Sequence, residues 1–260
     1  MTDNPSSSIL ISENEAVFEG MTSISSLIQA IRDGESDRKI RAVYFDHGRL
    51  YKKQSEFRFL QAVSRELSFE LLVTDADQLS SIVSGNTHGG VVAIASERTY
   101  PQLTSEDLSE KGFWVLPDGI EDPYNFGYSI RSLYAAGVDG IVLPPRNWLS
   151  AAGTVARSSA GTSEKIKIRI ADPKDAVNLF RASGYRVLAA EIRDSVSLYD
   201  ADLRTPLLFV IGGEKRGISR EVLALCDQNV RIEYGRAFRG SLSAAATCAI
   251  IGFEVFRRNQ

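Results

Sequence analysis

Leu207-Leu-Phe-Val-Ile211-Gly212-Gly213-Glu214-Lys215-Arg216-Gly217-Ile218-Ser219 reads as an apolar strand running straight into a glycine-rich turn and a helix start. Consecutive apolar residues suit a strand buried on both faces. Glycines directly after such a strand let a ligand approach the backbone closely. The stretch is not a P-loop: Gly212 and Gly217 have the spacing, but Ile218 stands where lysine is required. It is not a dinucleotide fingerprint either, because Glu214 replaces the second glycine. Alone, it is equally well a strand-to-helix turn with Ser219 as N-cap.

Similar short apolar runs flank it. Residues 113–116, 140–143, 187–190 and 230–232 read as strands, with helices over 126–136, 173–183 and 241–256. Nearer the N-terminus, 41–45, 69–73 and 91–95 read as strands and 54–67 as a helix. Thr74 or Asp75 could cap a further helix reaching Ser84. Alternating strands and helices define an α/β protein. Residues 97–111 are polar, contain Pro101 and lack periodicity. The expected organisation is a flexible N-terminus over 1–12, a small α/β domain over 13–97, a linker over 98–111 and a second α/β domain over 112–260.

Composition narrows the function. The 260 residues carry 30 basic and 33 acidic side chains, a formal net charge of −3, which excludes a uniformly basic nucleic-acid coat but not local patches. Two cysteines, Cys226 and Cys248, cannot build a disulfide scaffold and fit a reducing compartment. Two histidines, His47 and His88, make a histidine-rich metal site a poor expectation. No leader sequence and no run near the roughly 18 apolar residues of a membrane helix is visible. The expectation is a soluble cytoplasmic protein without metal.

Four further features could carry chemistry. Asp122-Pro-Tyr-Asn125-Phe-Gly127-Tyr-Ser-Ile-Arg131 follows a strand and opens a helix; it is either a ligand-facing helix start or a plain cap with a solvated arginine. Val230-Arg-Ile232-Glu-Tyr234 leads to Gly240-Ser241-Leu242-Ser243 at the start of an alanine-rich helix, where small residues either admit a ligand or another chain segment closely or merely supply a capping serine. Between Arg38 and Arg58, seven basic residues (among them Arg41, Lys52 and Lys53) face two acids, with Tyr44, Phe45, Tyr51 and Phe57 interleaved. That is an RNA surface or a solvated charged face. His88, before Gly89-Gly90, is a lone histidine ahead of a strand, more often a turn residue than a catalyst.

Taken in order, these segments resemble the SpoU/TrmH branch of the SPOUT superfamily of RNA methyltransferases. Asp122 through Arg131 and Ala136-Gly-Val-Asp-Gly140 match its first motif, Ser159-Ala-Gly161 a conserved link, Ile211 through Gly217 its second motif, and Ile232 with Ser241-Leu242 its third. Residues 15–95 resemble the family's ribosomal-protein-like RNA-binding domain.

The resemblance implies a C-terminal trefoil-knotted SPOUT domain, a rare exception to unknotted topology, behind a small N-terminal α/β RNA-binding domain. It implies an S-adenosyl-L-methionine-dependent enzyme that methylates a ribose 2′-hydroxyl of rRNA, ahead of tRNA, and works as a homodimer without membrane or metal. Ala190, Gly212, Ile232 and Leu242 would bind the cofactor. Arg131, Asn125, Glu214 and Ser241 would be catalytic, and Arg41, Lys52, Lys53 and His88 would bind RNA. The alternatives are a non-catalytic RNA-binding protein that kept the knot, or an enzyme of another adenine cofactor. Of the departures from the family pattern, which include Gly89 for the usual glutamine after the histidine and Glu233 for the usual proline, two are expected to compensate each other: Tyr234 for the usual methionine and Ser243 for the usual asparagine.

Overall fold

A computed structural model describes residues 9–83, 88–145 and 151–260. Its contacts divide the chain into two compact units: Met1–Thr99 with Trp148–Glu164, and Tyr100–Asn147 with Lys165–Gln260.

The first unit is a four-stranded sheet of β1 (Glu15–Glu19), β2 (Ile40–Asp46), β3 (Glu70–Thr74) and β4 (Val91–Ser96), with helices α1 (Gly20–Arg32), α2 (Gln54–Glu66) and α3 (Ala76–Ser81). The order is β1-β4-β2-β3, with β4 antiparallel to both neighbours and β3 parallel to β2. Asp75 caps α3, accepting the Gln78 N–H; the helix stops at Ser81 with Ile82 as its C-cap, short of the expected reach, and Ser84 itself lies outside the described residues. The sequence reading passed over β1 and α1. Ala16 and Phe18 alternate inward along β1, and Ile24, Leu27 and Ile28 form the buried stripe of α1.

A second departure concerns residues 151–164, expected within the C-terminal domain. Helix α5 (Ala152–Ser158) completes the first core instead, placing Ala152 and Ala156 with Phe18, Ile24 and Phe45. Beyond it, Glu164 accepts from Arg38 Nε at 2.9 Å, with both side chains 2% exposed. Arg38 also donates to Ser96 O at 2.7 Å, and Ser36 Oγ lies 3.2 Å from the carboxylate. Buried charges persist when paired and hydrogen-bonded in this way.

The second unit is a seven-stranded parallel sheet of β5 (Phe113–Asp118), β6 (Gly140–Leu143), β7 (Ile168–Ile170), β8 (Arg186–Ala190), β9 (Ser195–Ser197), β10 (Leu207–Gly212) and β11 (Gln228–Arg231). The order is β7-β6-β5-β10-β8-β11-β9. Helices are α4 (Pro123–Ala135), α6 (Pro173–Ala182), α7 (Arg220–Leu223) and α8 (Ala244–Arg258). Trp114, Leu116, Phe180, Val187, Leu208 and Val210 anchor its core. Asp122 and Asp172 cap α4 and α6, each followed by a proline whose missing N–H costs nothing at a helix start.

The segment read as a linker is ordered from Tyr100 onward. Ile170 N donates to Pro101 O and Leu103 N to Ile170 O, each at 2.9 Å, and Leu103 and Leu108 pack on the second core. Its apolar residues are too few and too irregularly spaced to give a period.

Candidate functional site

The carboxyl ends of β5, β10, β8 and β11 lie side by side, because these strands are neighbours and parallel. In open parallel sheets, that edge is where ligands sit. Beyond it lies a cavity of about 250 Å³. Ala190 and Glu191 enter from β8, Ile211, Gly212, Gly213 and Glu214 from β10, and Val230, Arg231 and Ile232 from β11. Tyr234, Ser241, Leu242, Ala244 and Thr247 close it from the loop before α8 and the helix itself. All four residues expected to hold a cofactor, Ala190, Gly212, Ile232 and Leu242, line this cavity, as do Glu214 and Ser241.

The glycines are also needed for the packing of the chain on itself. A Cβ on Gly212 would sit 2.6 Å from the Gly217 carbonyl carbon, and one on Gly213 only 1.9 Å from Gly119 O. Gly213 N donates to Asp118 O at 2.8 Å, and Gly217 N to Gly213 O at 2.9 Å. The turn after β10 is thus folded tightly on itself and on the turn after β5. Asp118 Oδ2 accepts Ser219 N at 2.8 Å and closes the far end of the loop.

That folding brings the first and second motifs together. Asn125 Nδ2 donates to Glu214 Oε1 at 2.8 Å. Both residues line a second cavity of about 240 Å³ with Gly119, Glu121, Asp122 and Lys215, and Glu214 and Ala244 border both cavities. Asn125 lies in the first turn of α4, held there by Asp122, whose carboxylate accepts from Tyr124 N and Asn125 N at 3.1 and 3.4 Å. Arg131 stands six residues on, about 120° around the helix at about 100° per residue. It is exposed, lines neither cavity and, among the described residues, has no hydrogen bond or ion pair. Through this bond Glu214 ties the second-motif loop to the first turn of α4.

The departures at Tyr234 and Ser243 are resolved separately. Tyr234 Oη accepts the Leu242 N–H at 3.3 Å. Ser243 Oγ caps α8, accepting Ala246 N at 3.2 Å. Each satisfies a backbone donor, and the expected direct compensation between them is not made. Glu191, which sequence reasoning missed, presents a carboxylate to the cavity with Oε1 held by Ile192 N and Arg193 N at 2.8 and 3.1 Å. Its position directly after the β8 run was the signal available.

The basic stretch belongs to the first unit and is less uniform than its sequence. Arg38 is buried with Glu164. Arg41 pairs with Glu15 at 2.6 Å and Lys53 with Glu56 at 2.8 Å. Lys52 and Arg58 are exposed and, among the described residues, unpaired. His88 is 7% exposed and its Nδ1 accepts Gly90 N at 3.2 Å, the turn role the sequence favoured.

A parallel sheet with a mixed apolar and acidic cavity at its carboxyl edge defines an α/β protein with a ligand-sized site at the usual place for such sheets. The SpoU rRNA methylase family model matches residues 112–253, and the chain belongs to that family. It is 30% identical over 183 residues to a Staphylococcus saprophyticus protein named for the TrmH family of tRNA/rRNA methyltransferases, covering 68% of this chain and 73% of that one. The AdoMet-bound rRNA methyltransferase from Sinorhizobium meliloti superposes with a TM-score of 0.74 at 24% identity, covering 94% of this chain and 88% of that one. The SpoU methyltransferase AviRb from Streptomyces viridochromogenes, in complex with AdoMet, gives 0.77 at 24% identity over 94% and 90%. Both units therefore share the fold of known SpoU-type structures. Among the described residues, no helix is long and apolar enough to cross a membrane, and no cluster of three potential metal ligands occurs.

Proposed function

We propose that the chain is an S-adenosyl-L-methionine-dependent methyltransferase acting on a ribose 2′-hydroxyl of RNA, with rRNA the first substrate to test and tRNA the second. The observation that carries this is the cavity at the ends of β8, β10 and β11. Its apolar walls of Ile211, Val230, Ile232 and Leu242 suit a purine, and its backbone edges suit the purine's donors and acceptors. Glu191 and Glu214 suit a ligand bearing a sulfonium and an ammonium. Bound there, the cofactor supplies an electrophilic methyl group.

What remains for the protein is to align and activate a weakly acidic hydroxyl. Arg131 would hold the substrate phosphate and lower the pKa of the adjacent hydroxyl, since a guanidinium keeps its proton and is a poor base. Asn125, fixed by Glu214, would position the ribose, with Ser241 beside it. Arg131 lies outside both cavities of its own chain. Tyr124, Tyr128, Phe253 and Phe256 leave an exposed aromatic surface on the same helix and on α8. Both features support a homodimer in which a second copy completes the site. The trefoil knot is the topology proposed for the second unit; the cavity assembled from three successive carboxyl-end loops supports it. The first unit would be the RNA-binding domain, with Lys52 the freest of the expected contacts, beside Arg41, Lys53 and a largely covered His88. A cytoplasmic location follows from an RNA substrate.

The test is transfer of labelled methyl to rRNA and tRNA purified from cells lacking the gene, followed by nucleoside mapping. The expected product is a 2′-O-methyl nucleoside, abolished by Arg131→Ala with the affinity for S-adenosylmethionine retained. Cofactor binding without transfer to any RNA would favour the non-catalytic RNA-binding alternative.

A further inference from the structure

The loop Gly235-Arg-Ala-Phe-Arg-Gly240 runs from the end of the cofactor cavity wall to Ser241. It holds two arginines and no acid. Arg236 and Arg239 are exposed and, among the described residues, neither has a hydrogen bond or ion pair. Arg216, between the cavity residues Glu214 and Gly217, is in the same state. By contrast, Arg231 on the cavity wall is neutralised by Glu233 at 3.0 Å and held by Ser195 O at 2.5 Å. None of Arg216, Arg236 and Arg239 lines the cavity, but each stands on a loop that also carries cavity residues, Glu214 and Gly217 on one and Tyr234 and Ser241 on the other.

Between the two loop arginines stands Phe238, 58% exposed. It is not a loosely hung side chain. Its ring lies 5.6 Å from that of Tyr234, inclined at 60°. Its Cζ passes so near Gly240 that a Cβ there would come within 2.5 Å. Tyr234 in turn lines the cavity and is tied to the Leu242 N–H. A large apolar ring fixed on one side and bare on the other, flanked by free guanidiniums, suits an unstacked nucleobase with its phosphates.

We infer that Phe238 is a stacking platform for a base next to the methylated nucleotide, and that Arg236 and Arg239 hold the phosphates on either side of it. The ligand is a single-stranded segment of the substrate RNA, since a paired base has no free face to offer. This rests on the methyltransferase reading and adds to it a specificity-determining element within the catalytic unit, separate from the first unit's basic surface.

The experiment compares the full-length protein with Phe238→Ala, Phe238→Trp and Arg236→Ala/Arg239→Ala. Three quantities are read: the Kd for S-adenosylmethionine by calorimetry, kcat and KM on the methylatable RNA, and binding of a single-stranded RNA decamer carrying one 2-aminopurine. Phe238→Ala should raise the RNA KM about five- to a hundredfold, the range of one lost base–aromatic stack. It should also abolish the quenching of 2-aminopurine, while Phe238→Trp restores both. The double arginine variant should weaken decamer binding and lower its salt slope by roughly 1 to 2. The cofactor Kd should stay within twofold throughout. A raised cofactor Kd in Phe238→Ala, with RNA parameters unchanged, would make the ring a mere prop for Tyr234 and overturn the inference. Wild-type RNA kinetics in Phe238→Ala would also overturn it and leave the methyltransferase reading standing. Failure of the wild-type protein to methylate any RNA would instead sink that reading.

Discussion

Gly213 has no room for even a methyl group, because its Cβ would fall 1.9 Å from the carbonyl oxygen of Gly119. The clash is with backbone, so it cannot be relieved by a rotamer change. Gly213→Ala must therefore pull the turn after β10 away from the turn after β5. Overpacking of this kind costs typically about 1–3 kcal/mol. Here it should also part Asn125 from Glu214 and loosen the cavity. The expected result is a lower denaturation midpoint together with weakened binding of S-adenosylmethionine, checked by urea unfolding and calorimetry on the same preparation. Stability and binding both at wild-type level would show that the turn is more yielding than its packing indicates. Sequence spacing placed glycines here correctly but assigned them to ligand clearance; only coordinates reveal that the nearest neighbour is the chain itself.

Helix α8 illustrates what an element-level reading can and cannot recover. The alanine-rich run and its opening serines were legible, and the helix was expected from Ser241. It begins at Ala244, because Ser243 adopts the extended cap conformation and its hydroxyl accepts Ala246 N. Asparagine and serine are comparable N-caps. Ser243→Asn should thus leave stability near wild type, and Ser243→Ala should cost about 1 kcal/mol. Thermal unfolding of the two variants distinguishes a capping role from a strained family departure, which would instead penalise Ser243→Asn. The three-residue strands β7 and β9 were not legible, since no period can be established over so short a run, whereas the four-residue β6 was, because it is an unbroken apolar run after a glycine. The site was more legible than these elements: its residues cluster where long apolar strands end, and such ends are conspicuous in sequence. The role proposed for Arg131 rests on resemblance alone, since among the described residues it lines neither cavity.

At the scale of the molecule, the first unit is discontinuous, and one buried ion pair fastens its two pieces. Arg38 and Glu164 are separated by 126 residues and share a site where both side chains are 2% exposed. Removing one charge strands the other, a change that typically costs about 3–5 kcal/mol. Glu164→Gln should lower the stability of the first unit by an amount in that range, measured by hydrogen exchange of β2 and β4 amides. Exchange at the wild-type rate would mean the guanidinium finds another partner or water. This pairing was out of reach of sequence reading. Arg38 sat within a basic run that suggested a surface, and nothing local marks a charge as buried.

The return of residues 151–164 to the first unit also sets a timetable for synthesis. When Thr99 leaves the ribosome, the N-terminal sheet is complete in strands, but its core lacks Ala152 and Ala156, and Arg38 has no counter-charge. The unit can close only after a further 65 residues, counted from Thr99 to Glu164, have been made. Those residues include β5, α4 and β6, the opening strands and helix of the other unit. A nascent chain halted before Glu164 would hold an unfinished N-terminal unit and an unfinished C-terminal one at the same time. The two units are thus interleaved along the chain, and their synthesis overlaps in time.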